Sequence, residues 1–185
     1  MTTEAISKKP KLLEAGHADN FQTPPSALDC LLPYLRREWR IWEPACGKGN
    51  LVRAFHDNGF RVTGTDIDSG SDYDFLNIPL GSDFSLMCDA IITNPPFSVK
   101  EKFLSRCYDW QMPFALLMPI TTFDSRERRK LFSRHGVQII LPNGRINFET
   151  PNGKGSSSWF YTAWFTHGLN LPKQLNFHGL EMELV

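Results

Sequence analysis

The chain has 185 residues, enough for one domain of ordinary size with its own hydrophobic core but not for a second large one. Its 20 Lys and Arg are balanced by 20 Asp and Glu, which argues against a protein that coats nucleic acid through bulk charge while leaving room for a local basic face. The first twenty residues hold no apolar stretch long enough for a signal peptide or membrane span, and apolar runs elsewhere are strand-sized, so a cytoplasmic protein with no membrane partner is expected.

Residues 1–20 are polar, include Lys8, Lys9 and Lys11, and show no sustained period; a mobile N-terminal arm is expected there. The folded domain is expected over 21–170, with 171–185 as a C-terminal tail. Gln22-Thr23-Pro24-Pro25-Ser26 reads as an extended turn capping a helix over Ala27 to Arg37, with Leu28, Leu31, Leu32 and Leu35 on one face. From Trp39 onward strand-like runs (Arg40 to Glu43, Arg61 to Asp66, Asp89 to Thr93, Phe114 to Met118, Val137 to Leu141) alternate with helical ones (Asn50 to Asn58, Ser98 to Trp110, Phe123 to Arg134). Such alternation predicts an α/β fold with a mostly parallel sheet and crossover helices. Ser158 to Thr166, rich in aromatic residues, is a final strand candidate after a stretch, Pro151 to Ser157, expected to be flexible.

Cys30, Cys46, Cys88 and Cys107 are far apart, with no Cys-x-x-Cys pair, and His17, His56, His135, His167 and His178 show no metal-ligand spacing. Reduced, mostly buried thiols and no metal are expected. No Pro-Cys dipeptide occurs, which disfavours covalent thiolate attack on a cytosine ring.

After the first predicted strand the chain reads Glu43-Pro44-Ala45-Cys46-Gly47-Lys48-Gly49-Asn50 and enters a helix, the layout of a nucleotide site at the carboxyl end of a strand. Gly47 and Gly49 let a ligand approach the backbone. The third glycine of a pyrophosphate-binding fingerprint is missing, which points to a ligand with adenosine but no phosphate. Asp66 ends the second strand where doubly wound folds place a carboxylate for ribose hydroxyls, with Asp68 as a competitor. Asp74 and Phe75 are a further candidate pair, the carboxylate accepting from an adenine amino group while the ring stacks. The plainer readings are a helix-entry turn for the glycines and a solvated strand-end acid for Asp66; the ordered combination favours cofactor binding.

Cys88 to Thr93 reads as a buried central strand delivering Asn94-Pro95-Pro96-Phe97 to the carboxyl edge of the sheet. An exocyclic amine on adenine is a poor nucleophile because its lone pair is delocalised into the ring. The Asn94 side-chain oxygen and the Pro95 carbonyl suit the two amine hydrogens, favouring a pyramidal, positively charged transition state over the flat ground state. The prolines stiffen the turn and remove competing N–H donors, and Phe97 offers a face for stacking. A base within a duplex must flip out to reach such a site.

With these motifs in order, the chain resembles the N6-adenine DNA methyltransferases, and Gly144-Arg145-Ile146-Asn147-Phe148 followed by a Gly/Ser stretch is similar to the small phage-type members. The likeness covers roughly residues 21 to 166. It implies a single-domain, Rossmann-like class I methyltransferase fold with a seven-stranded, mostly parallel sheet, S-adenosylmethionine as cofactor, and DNA as substrate. It implies cofactor contacts from Phe21, Thr23, Glu43, Ala45, Gly47, Gly49 and Asp66, adenine held near Asp74 and Phe75, and catalysis by Asn94, Pro95, Pro96 and Phe97. Larger members have a separate region that reads target sequence, for which this chain has no length, so weak sequence preference is expected. Arg126 and Arg129, in a helix that also bears Arg128, Lys130 and Arg134, are candidate substrate contacts together with Arg145 and Lys154; an ordinary solvated helix face competes with that reading. Amino groups in RNA, protein glutamine, or a non-catalytic cofactor-binding scaffold are the alternative functions.

Overall fold

A computed structural model describes residues 19, 21–149, 155–156 and 160–179. The first strand, β1 (Arg40–Glu43), is followed by helix α1 (Asn50–Asp57) and strand β2 (Arg61–Gly64). Then come α2 (Asp83–Met87), β3 (Ala90–Thr93), α3 (Lys100–Trp110), β4 (Phe114–Pro119), α4 (Arg126–His135) and β5 (Gln138–Leu141). The chain closes with β6 (Phe148–Glu149), β7 (Gly155–Ser156), β8 (Thr162–His167) and β9 (Leu175–Phe177). Seven of these strands form one sheet in the order β2-β1-β3-β4-β8-β5-β9, and β6 pairs with β7 beside it. Every pairing in the main sheet is parallel except those of β8, which runs antiparallel to both β4 and β5. The architecture is therefore the mostly parallel α/β sheet that the alternation of runs predicts, with the seven strands that the resemblance implies.

β3 and β4 are buried along their whole length, as central parallel strands covered on both faces must be. Alternation sends neighbours to opposite layers. Ile41, Ile92, Leu117, Ile140 and Trp164 pack with Leu28, Leu31, Leu51 and Phe55 on one face. Trp42, Ile91, Leu116, Ile139 and Phe165 pack with Phe103, Leu104 and Phe132 on the other. Helix α1 joins the first layer because its buried residues Leu51, Ala54 and Phe55 share a stripe at helical spacing.

Several expected elements are redrawn. In place of a helix over Ala27 to Arg37 there are two short 3-10 turns, Pro25–Leu28 and Leu32–Tyr34. Pro33 lies inside the segment, has no N–H to donate and disfavours helical backbone at Leu32. The apolar residues still serve the core. Leu28, Leu31 and Leu35 are buried, and the Trp164 indole N–H donates to the Ala27 carbonyl at 2.9 Å. The helix expected from Phe123 starts at Arg126; Ile120–Asp124 is a 3-10 turn, and Ser125, in extended backbone, caps α4 by accepting from the Arg128 amide.

The sheet continues past residue 170, because β9 pairs in parallel with β5 in the stretch expected to be a tail. Gly155 and Ser156, within the stretch expected to be flexible, pair with Glu149 and Phe148. Of the expected N-terminal arm only Asp19 is among the described residues. Cys30, Cys88 and Cys107 are buried and Cys46 half-buried, all as free thiols. Among the described residues no helix is long and apolar enough to cross a membrane.

Candidate functional site

Strands β1, β2 and β3 run parallel, so the turns that follow them meet at one edge of the sheet. A cavity of about 510 Å³ lies there. Its walls are the loop after β1 (Glu43, Ala45, Cys46, Gly47, Lys48), the end of β2 (Asp66, Ile67, Asp68), the turn after β3 (Asn94 to Phe97) and the segment Asp19, Phe21, Gln22, Thr23.

The loop after β1 is held by short-range bonds that follow from its residue types. Gly47 and Gly49 adopt φ of +48° and +76°, backbone that side chains rarely take. The Gly49 amide donates to the Cys46 carbonyl at 2.7 Å, closing the turn, and Gly49 becomes the N-cap of α1. The Asp66 carboxylate accepts from the Gly47 amide at 2.7 Å and from the Asp68 amide at 3.0 Å, so it braces the loop as well as facing the cavity. Gln22 also braces it, accepting from the Lys48 amide at 3.0 Å.

Glu43 is buried at the end of β1, where the Thr93 hydroxyl donates to its Oε1 at 3.0 Å. Its Oε2 is buried with no hydrogen-bond partner. Burial pushes the carboxyl up to about 8; the Thr93 bond pulls the other way, and the Asp66 charge adds to the rise. Beside it, Asn94 Oδ1 is likewise buried and unpartnered. Two buried polar oxygens without a protein partner thus stand on the wall of one cavity, each costing about 1–3 kcal/mol while it is left unsatisfied.

The turn carrying Asn94 is fixed from outside. The Val99 amide donates to the Pro96 carbonyl at 3.1 Å and the Lys100 ammonium to the Phe97 carbonyl at 2.9 Å. The Ser98 amide donates to Asp19 at 3.1 Å. Burial lowers the Lys100 pKa, and the nearby Arg128 charge lowers it further. The Phe97 ring stands edge to face with Phe160 at 5.4 Å and with Phe148 at 6.4 Å, forming an aromatic corner at the end of the turn that carries Asn94.

Thus Phe21, Thr23, Glu43, Ala45, Gly47 and Asp66 line the same cavity as Asn94, Pro95, Pro96 and Phe97. Gly49 stands just behind it, shaping the loop. Asp74 and Phe75 do not line it. Phe75 is 1% exposed and packs against Trp42 at 5.3 Å and Phe103 at 4.8 Å, while the Asp74 carboxylate accepts from the Leu76 amide at 3.1 Å and the Asn77 side chain at 2.6 Å. The ring is used by the core and the acid by its own turn. Arg126 and Arg129 are exposed on α4, whereas Arg128 in the same helix pairs with Glu101 at 3.1 Å and donates to the Thr122 carbonyl at 2.6 Å. Arg145 lies in a separate groove, and Lys154 lies outside the described residues.

Gln22, Lys48, Asn50, Ile67 and Asp19 line the cavity without having been singled out in the sequence. Ile67 carried a signal: it is an isoleucine flanked by two aspartates, and it is 60% exposed at the cavity mouth. Gln22 stands between the expected cofactor contacts Phe21 and Thr23, yet its role depends on a loop 26 residues away.

No family model matches the chain. No curated protein matches it either. Among solved structures, a provisionally assigned RNA methyltransferase from Pyrococcus horikoshii aligns at TM-score 0.49 and 16% identity, over 77% of this chain and 79% of that one. A provisionally assigned O-methyltransferase from Agrobacterium tumefaciens aligns at TM-score 0.34 and 15% identity, over 70% of this chain and 55% of that one. At these levels neither likeness assigns an activity, and the functional reading rests on the site.

Proposed function

We propose that the chain is an S-adenosylmethionine-dependent methyltransferase acting on an exocyclic amino group, with adenine N6 in DNA as the preferred substrate. The observation that carries this reading is the buried, unpartnered Oδ1 of Asn94 at the wall of the glycine-loop cavity.

The cavity's charge supports the choice of cofactor. Among the described residues, Asp19, Asp66 and Asp68 line it against Lys48 as the single lysine or arginine, and Glu43 adds a further negative charge as it ionises through about pH 8, so a pyrophosphate is repelled and a cationic ligand is favoured. S-adenosylmethionine, when bound, supplies an electrophilic methyl on a sulfonium centre. Glu43 Oε2 and the Asp66 carboxylate are the acceptors for its ammonium and ribose hydroxyls, Ile67 gives an apolar surface for its adenine, and Gly47 gives the loop the left-handed backbone that packs it against Gln22.

The chain's own residues then act on the amine. Asn94 Oδ1 accepts one amine hydrogen and the Pro95 carbonyl the other, which localises the nitrogen lone pair and stabilises the positive charge that grows on nitrogen during transfer. Phe97, held edge-on by Phe148 and Phe160, presents a face on which the base stacks. The Lys100 and Asp19 contacts hold the turn so that the acceptors are in place before the base arrives. The preference for adenine in DNA rests on the resemblance of Asn94 to Phe97 to the N6-adenine enzymes.

The test is transfer of labelled methyl to unmethylated DNA, RNA and protein offered side by side. Wild-type protein labels DNA, and Asn94→Ala loses at least about a hundredfold in rate while still binding cofactor. Equal transfer by the variant contradicts the assigned role of Asn94.

A further inference from the structure

A second groove, of about 280 Å³, opens on the same edge of the sheet as the cavity. Its polar lining is Ser26, Asp29, Asn143, Arg145, Asn147 and His178. It lies past the ends of the parallel strands β5 and β9, where the His178 amide donates to the Leu141 carbonyl at 2.9 Å. We propose that this groove holds a nucleotide flanking the target base in the substrate strand, and that Asn143 and Asn147 read its base edge. The proposal rests on the nucleic-acid reading above and names the part of the substrate that reading leaves unplaced.

Position is the first support. The segment after Asp19 runs from the cofactor cavity to the groove: Phe21, Gln22 and Thr23 line the cavity, Ser26, Asp29 and Cys30 line the groove, and Gln22 exchanges backbone hydrogen bonds of 2.9 Å in both directions with Glu149, two residues after the groove's Asn147. Asn147 lines the groove and Phe148, the next residue, stands at 6.4 Å from the Phe97 ring. One residue of backbone spans at most about 3.6 Å. A strand whose target base is flipped out against Phe97 continues along this edge of the sheet, where the groove is the next opening on the side of Phe148.

Chemistry is the second support. Each asparagine carboxamide offers a donor pair and an acceptor, the combination that reads a base edge bidentately. Asp29 and Arg145 face the groove with opposite charges, so it is not a bare phosphate site, unlike a patch of lysines. Gly144, at φ +97°, makes the bend that lets residues on both sides of it line one groove. A groove near the lower limit of small-ligand cavities, about 300 Å³, suits one base. Contacts to the nucleotides flanking a flipped base are one way in which base-modifying enzymes choose among sites.

The experiment uses the full chain and a DNA pool randomised at the two positions on each side of a single adenine, with methylated molecules sequenced. Wild-type protein shows a preference of about tenfold between best and worst base at one flanking position. Asn143→Ala with Asn147→Ala brings that ratio close to one, with cofactor affinity and melting temperature unchanged. Asn147→Asp, an acceptor without a donor, moves the preference toward bases that present an amino group. A wild-type enzyme with no flanking preference, or variants that keep the wild-type preference, overturn the assignment. If wild-type protein binds cofactor but labels no nucleic acid, the functional reading itself fails, and this one falls with it.

Discussion

Thr93→Val is a small change with a large expected effect on cofactor binding. Valine keeps the shape of threonine but removes the hydroxyl that donates to Glu43 Oε1 at 3.0 Å. That bond favours the ionised carboxylate, and a hydrogen bond to a charged group is worth about 1.5–3 kcal/mol. At about 1.4 kcal/mol per pKa unit, its loss raises the carboxyl from about 8 by roughly one to two units. A carboxylate attracts a cationic ligand and its protonated form does not, so wild-type affinity rises with pH through about 8 as Glu43 ionises. In Thr93→Val the rise moves upward by at least about one unit, and near pH 7.5 affinity falls roughly tenfold. Calorimetric titration with S-adenosylmethionine between about pH 6 and 10 reads this out, and Glu43→Gln separates it from titration of the ligand's own amine. If Glu43→Gln retains the wild-type rise, or Thr93→Val leaves its midpoint in place, Glu43 is not the group that receives the cationic end of the cofactor.

Gly47→Ala forces a side chain onto left-handed backbone and places its Cβ about 3.0 Å from the side-chain Nε2 of Gln22; at about 1–2 kcal/mol of strain, cofactor affinity falls at least about fivefold in the same titration while the fold survives. Phe75→Ala opens a cavity in the core beside Trp42 and lowers stability by about 3–5 kcal/mol in urea unfolding, yet residual folded protein binds cofactor normally, because the ring does not face the ligand cavity. Lys100→Met removes the brace on the Phe97 carbonyl, and steady-state kinetics show a lower kcat with cofactor affinity unchanged. An unaltered kcat shows that the other contacts suffice to hold the turn.

How much of this was legible in the sequence depends on how local the determinants are. Gly47 and Asn94 to Phe97 could be placed because each follows a short apolar strand, and parallel strands deliver their turns to one edge. Phe75 could not be. Whether an aromatic ring after an acid faces a ligand or the core depends here on Trp42 and Phe103, far away in the chain. The helix expected after Ser26 had the right apolar spacing but also contained Pro33, and the backbone constraint won over the pattern while the buried leucines stayed buried. Strand β9 escaped detection because its polarity is inverted. Leu175 and Phe177 are exposed, and the buried residue is Asn176, whose amide donates to the Ile139 carbonyl at 3.2 Å and the Lys173 carbonyl at 2.8 Å. The antiparallel insertion of β8 between β4 and β5 has no local signature at all, since it is decided by packing of the completed sheet.

Everything proposed for the site turns on whether the Asn94 turn directs methyl transfer to an exocyclic amine of a base. Mass spectrometry of nucleosides released from DNA, after incubation with wild-type protein and isotopically labelled S-adenosylmethionine, reads that out without intermediaries. Labelled N6-methyladenosine in its deoxy form is expected, and none with Asn94→Ala. Label on a carbon of a base, or no labelled nucleoside at all, refutes the assignment.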